Sequence, residues 1–258
     1  MSSLNKIIDL DNAIFEEFKI YFSKISTSSF SKQYPITLQL SNLFTTSTNF
    51  IKESIFNCCE NDDLYGIKIL FRSLIEHYLR FQLIWFNWVK TQSDIEAKKY
   101  LDFTAAREVL DSIKAEIDAF KFSNPDFKVP NWEELLSKFP SCKNLSKKEI
   151  EEETLKYTYK NVIKTLKETD KNENALFKRL IIEYSKLSSF VHGGSGSHQE
   201  FLRYRNPIKR KEEYNRICGL SFQMAGVVKL FSLRMFAQTD KDEFESSYLK
   251  IDKIIKSL

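Results

Sequence analysis

"GIKILFRSLIEHYLRFQLIWFNW", residues 66–88, is apolar around almost its whole circumference when wound as an α-helix. A helix without a polar face belongs inside a bundle, so this stretch predicts a long buried central helix over about residues 64–89 and an all-α fold around it. Four charged residues interrupt the apolar surface: Lys68, Arg72, Glu76 and Arg80, each four positions after the last. Residues at that spacing share one slowly rotating face, so the charges form a single polar stripe. Burying an ionised group is costly unless it is paired. The stripe therefore has two readings. Arg72 and Glu76 can close an ion pair that serves only structure. Alternatively the stripe lines a cleft, where Arg72 offers its guanidinium fork to a phosphate or carboxylate and Glu76 orients it or a nearby imidazole. His77, about 100° round the helix from Glu76, reads as a core or partly exposed histidine.

The composition agrees with helices packed on helices. The chain has 258 residues, 42% of them hydrophobic, with 22 phenylalanines and 11 tyrosines, enough to build a substantial core. Six glycines and five prolines supply too few turn residues for a β-sandwich or barrel. With 39 basic and 35 acidic residues the net charge is only +4, so composition alone does not announce a nucleic-acid binder. Cys58, Cys59, Cys142 and Cys218 show neither a CxxC pair nor metal-ligand spacing and read as reduced thiols of a cytoplasmic protein. The N-terminus lacks the apolar run of a signal peptide, and the apolar stretch at residues 78–89 is broken by Arg80, Gln82 and Asn87, so no membrane span is expected.

About eight helices are expected in one domain over residues 1–258, and residues 121–172 read as a peripheral insertion. The first helix covers about Leu4 to Ile25 and is ended by the Ser-rich stretch that follows; the second covers about Ile36 to Cys59. "ENDD" caps the central helix and "TQSD" the next, which runs to about Phe120. A loop with two prolines leads to a short helix at Trp132 to Lys138. The charged segment after it carries a thin apolar stripe of Tyr157, Val162, Ile163 and Leu166. Later helices are expected over about Ala175 to His192 and Lys209 to Ala237, with one more at the C-terminus.

"SSFVHGGSGSH", residues 188–198, holds two of the three histidines. It looks like a helix end, with Gly193 suited to the left-handed position after the cap. His192 then lies in the last turn, where the helix dipole favours its protonated form, and Ser185 and Ser188 share its face. "GGSGS" reads as a flexible connector or as a way for the chain to leave without covering the histidine. Downstream, Arg203, Tyr204, Arg205, Lys209 and Arg210 interleave basic and aromatic side chains. That pattern suits backbone contact and base stacking on RNA, or simply a solvated start to the next helix.

Two segments in this order, "ILFRSLIEHYLRFQLI" at 69–84 and "YSKLSSFVHGG" at 184–194, with "AKKYLDFTAAREVL" at 97–110 between them, resemble a group of bacterial helical domains allied to the HEPN superfamily. The resemblance implies an α-helical bundle, often a homodimer, acting as a metal-independent ribonuclease of toxin or phage-defence type. RNA or a nucleotide would be the ligand, a cognate antitoxin or defence-system protein a partner, and no cofactor or metal would be needed. It also implies that His192 is the general acid or base on a ribose 2′-hydroxyl, with an arginine stabilising the phosphate charge. The superfamily signature places an arginine four to six residues before the histidine; here that window holds Leu187, Lys186 and Ser185. Arg72, partnered by Glu76, is then the candidate cation, with Ser188 beside the histidine. The rival expectations are a non-catalytic nucleotide- or protein-binding module and a structural scaffold.

Overall fold

The computed structural model describes residues 3–124, 131, 134, 136–169 and 175–257. Among them are eleven α-helices and no strand. These are α1 (Ser3–Lys24), α2 (Ser29–Gln33), α3 (Pro35–Glu60), α4 (Leu64–Thr91), α5 (Ile95–Ser123), α6 (Lys147–Leu155), α7 (Tyr159–Thr169), α8 (Ala175–Val191), α9 (Ser195–Arg203), α10 (Pro207–Phe236) and α11 (Lys241–Lys256). The count exceeds about eight because two short helices, α2 and α9, stand in segments expected to be loops, and the charged segment folds as α6 and α7. The helix expected at Trp132 to Lys138 falls partly on residues, 132, 133 and 135, that lie outside the described ones.

α4 is the axis of the bundle, in contact with α3, α5, α7, α8 and α10. Ile67, Phe71, Leu74, Ile75 and Phe81 are fully buried on its different faces, as an all-round apolar helix requires. It starts where the carboxylate of Asp63 accepts from the Gly66 N–H at 2.9 Å, and ends at Gln92, whose φ of 45° turns the chain out of the helix. α3 runs antiparallel beside it, so that Tyr34 at the start of α3 meets Trp88 near the end of α4 edge-on at 5.6 Å. Small side chains let α3 and α10 approach: Ser41 donates to Ser232 at 2.7 Å, and Thr45 lies 3.3 Å from the same hydroxyl.

Two helix starts are capped from elsewhere in the chain. Asp94, expected to cap α5, instead turns its carboxylate onto the start of α3, accepting from the N–H groups of Ile36 and Thr37 and from the Thr37 hydroxyl at 2.7–2.9 Å. Asp240 does the same for α2 through the N–H groups of Ser29 and Phe30. Both satisfy donors that a helix N-terminus leaves free. α10 is the one described helix long and apolar enough to cross a membrane, and most of it is buried in the bundle against α1, α3, α4 and α11. All four cysteines are free.

Between α1, α3 and α10 lies a buried polar cluster. Lys52 pairs with Asp11 and donates to Asn49 Oδ1 at 3.1 Å; Lys229 donates to the same oxygen at 2.8 Å. Burial first, and then the charge of Lys52, lower the Lys229 ammonium to about 8.

Two outcomes follow from these contacts. Asp94→Ala removes three hydrogen bonds from the start of α3 and lowers stability by about 1–3 kcal/mol in urea denaturation. For Lys229 the folded value lies below the unfolded one, so the unfolded chain binds more protons between pH 8 and 10.5 and stability rises with pH across that window. Lys229→Met, which removes the titrating group, raises the urea midpoint at neutral pH and flattens the rise.

Candidate functional site

The centre of the polar stripe is held by a tyrosine from α8. The Tyr184 hydroxyl accepts from Arg72 Nη2 at 2.5 Å and donates to Glu76 Oε1 at 2.6 Å, while Arg72 and Glu76 lie 3.2 Å apart. The guanidinium stands 4.5 Å from the centre of the Tyr184 ring, and the Tyr159 ring of α7 stacks on the Tyr184 ring at 3.4 Å and 18°. Burial, and next the hydrogen bond to Glu76, push the Tyr184 phenol up to about 12, with Arg72 opposing. The phenol is therefore neutral at physiological pH, donating to a carboxylate and accepting from a guanidinium. These contacts tie α4, α7 and α8 together.

His192 lies elsewhere. α8 runs antiparallel to α4, since Tyr65, near the start of α4, donates from its hydroxyl to the Phe190 carbonyl at 2.9 Å while Arg72 meets Tyr184. His192 follows Tyr184 by eight residues, about 12 Å along the helix axis at ~1.5 Å per residue. The structure thus brings Arg72 and Glu76 together and does not bring His192 to them. Ser188 donates to the Tyr184 carbonyl at 3.0 Å, so its hydroxyl bonds its own helix. His192 is exposed, and its backbone N–H bonds the Ser188 carbonyl at 3.2 Å.

The end of α8 has the expected form. Gly193 takes a φ of 62°, and the Gly194 N–H bonds the Ser189 carbonyl at 2.8 Å, which is the Schellman arrangement. The glycines that follow are not a connector: α9 begins at Ser195, and Gly196 lies so close to α8 that a Cβ there would stand 3.3 Å from the Ser189 hydroxyl oxygen. α9 packs back on α8 and leads directly to α10, whose N-terminus is capped by Asn206 through the N–H groups of Ile208 and Lys209.

This turn places the basic segment at the same end of the bundle as His192 and the start of α4. Arg203, Arg205, Lys209 and Lys211 are exposed there. Arg210 pairs with Asp62 at 2.8 Å, and Tyr214 donates to the same carboxylate at 2.9 Å, so this acid is already engaged. Tyr204, expected to present its ring to a base, is instead buried, with the Lys68 ammonium 5.1 Å from one side and Arg203 at 5.6 Å. It holds α9 down and is not a stacking platform for a ligand. The partly buried ring at this end is Phe201, stacked on Tyr65 at 5.9 Å.

Beneath the segment is an ionic network. Lys68, almost fully buried, pairs with Glu213 of α10 and with Glu200 of α9 at 3.1 Å. Arg216 binds Glu213 at 2.7 Å and Glu183 of α8 at 3.0 Å. Burial opposes ionisation of Glu213, but Arg216 and Lys68 outweigh it and hold the carboxyl below its usual range. Residue reasoning missed Tyr184, Tyr159, Glu183 and Glu213; the only signal for any of them was that a stripe of buried cations demands carboxylates from other helices. Among the described residues, no group of three or more His, Cys, Asp or Glu side chains is placed to hold a metal ion.

Comparison with curated proteins and with solved structures finds no match. The profile of one family, described as a family of unknown function (DUF5677), matches residues 40–209, a span that runs from α3 through the central helix to the first turn of α10. The chain belongs to the DUF5677 family.

Proposed function

We propose that the chain is an RNA-binding protein of HEPN-like kind, which takes the phosphate backbone on the end of the bundle formed by the start of α4, α9 and the start of α10. The observation that carries this reading is the set of exposed cations there, Arg203, Arg205, Lys209 and Lys211. Between His198 and Lys211 the one carboxylate is Glu200, and it is committed to Lys68. Cations free of carboxylate partners release counterions when they neutralise phosphates, the usual source of affinity for nucleic acid. Arg72 and Glu76 take no part in contacting RNA in this reading. They are positioning residues that fix α8, and hence His192, through Tyr184.

His192 favours a second, more specific reading: a metal-independent ribonuclease. Its ring is exposed at the C-terminal end of α8, at the same end of the bundle as the basic segment. There it would act as general acid or base: the ribose 2′-hydroxyl gives up its proton and attacks the adjacent phosphorus, the P–O5′ bond breaks, and the departing 5′-oxygen takes a proton, leaving a 2′,3′-cyclic phosphate and a 5′-hydroxyl. The cation for the developing charge would come from the α9–α10 segment, since Arg72 is held by Tyr184.

Fluorescence anisotropy of a single-stranded RNA tests the binding surface. Arg205→Glu with Lys209→Glu weakens binding by at least about tenfold and reduces the salt slope by about 1–2, because each lost phosphate contact on a single strand contributes ~0.7 to that slope. Equal affinity in wild type and variant rejects the surface. Incubation of an RNA pool in EDTA separates the two readings: cutting that is lost in His192→Ala while binding persists assigns a ribonuclease, and binding without cutting by the wild type leaves a binding module. Tyr184→Phe lowers stability by about 1–3 kcal/mol in urea denaturation, because the Arg72 and Glu76 groups it satisfies lose a partner. RNA affinity is unchanged.

A further inference from the structure

Of the four charges in the central stripe, Lys68 has Glu213 and Glu200, and Arg72 and Glu76 have each other. Arg80 makes no ion pair with any described residue. It is half-buried, and it lines a cavity of about 310 Å³ between α3, α4 and α5. That volume is at the lower end of the range for small-molecule sites. The cavity is separate from both the tyrosine-centred cluster and the basic end of the bundle.

Its walls divide by chemistry. Leu43 and Phe44 from α3 face Leu101 and Ala105 from α5, giving an apolar body to the space. Arg80 stands with His77 on the α4 side. The His77 Nδ1–H donates to the Ser73 carbonyl at 2.9 Å, which fixes the ring beside Phe44, edge-on at 6.4 Å. Arg80 shares the cavity wall with the buried Tyr100 phenol, which keeps its proton because burial raises its pKa more than the nearby Arg80 charge lowers it. A neutral phenol beside the guanidinium offsets none of its charge. The nearest carboxylate lining the cavity is Glu108, exposed at its rim.

We propose that this cavity binds a small monocarboxylate with an aromatic or branched aliphatic body, its carboxylate taken by the Arg80 fork and its apolar part seated between Phe44 and Leu101. A guanidinium matches a planar carboxylate in two parallel hydrogen bonds. Arg80 can neutralise a single negative charge, and the Glu108 carboxylate at the rim repels a dianion such as a phosphate monoester more than a monoanion.

Isothermal titration with phenylacetate, its neutral counterpart phenylacetamide and the dianion phenyl phosphate tests the assignment on the full chain. Phenylacetate binds saturably, one per chain, and shifts the methyl resonances of Leu101 and Ala105, while the amide and the phosphate bind at least about tenfold more weakly, as loss or mismatch of a charge-assisted pair implies. Arg80→Gln reduces the phenylacetate affinity by a similar factor. Ala105→Phe, which fills the cavity and leaves Arg80 unaltered, abolishes it. No saturable phenylacetate binding by the wild type overturns the proposal. Equal binding of the amide, tighter binding of the phosphate, or undiminished binding by the folded variants does so as well.

Discussion

Lys68 is the residue around which the basic end of this bundle is organised. It is 2% exposed on a helix that every neighbour treats as core. Taking an ammonium out of water costs several kcal/mol, and only close partners offset that cost. The partners arrive from three other helices: Glu213 from α10, Glu200 from α9, and the ring of Phe190 from α8 at 5.7 Å. Glu213 in turn needs Arg216, and Arg216 needs Glu183. One buried charge thus fixes the rotation of three helices about the axis, and with it the place where α9 turns into α10. An apolar residue at position 68 would pack as well and specify less.

Much of the fold was legible locally. The central helix could be bounded from its all-round apolarity and from Asp63, and the end of α8 from Gly193, because caps act within a few residues of the groups they satisfy. α9 was hidden for a physical reason. Glycine in a first turn costs helix propensity, so "GGSGS" reads as a connector; the helix forms because Gly196 admits close contact with α8 and Phe201 stacks on Tyr65. The crossed caps were hidden too. Asp94 precedes a helix and looks like its cap, yet the carboxylate reaches donors 58 positions back in the chain.

The candidate site divides along the same line. The Arg72–Glu76 pair follows from spacing alone, since residues four apart on a helix are neighbours. Its third member does not: Tyr184 stands 112 positions from Arg72, and only the slide of α8 against α4 decides that this residue, rather than His192, meets the guanidinium. A difference of two turns in that slide would have joined the histidine to the arginine. The basic character of residues 203–211 was visible, whereas the inward turn of Tyr204 depended on Lys68 needing a ring beside it.

The pairing of Glu200 with Lys68 has a consequence for the molecule as a whole. It sorts charge by depth: the acid of the α9 segment is drawn toward the axis while the cations of the same segment stay at the surface. A chain whose overall charge is only +4 thereby shows a local excess of positive charge on the surface of this segment. The field of that excess reaches about a Debye length, roughly 8 Å at physiological salt, and added salt shortens its reach.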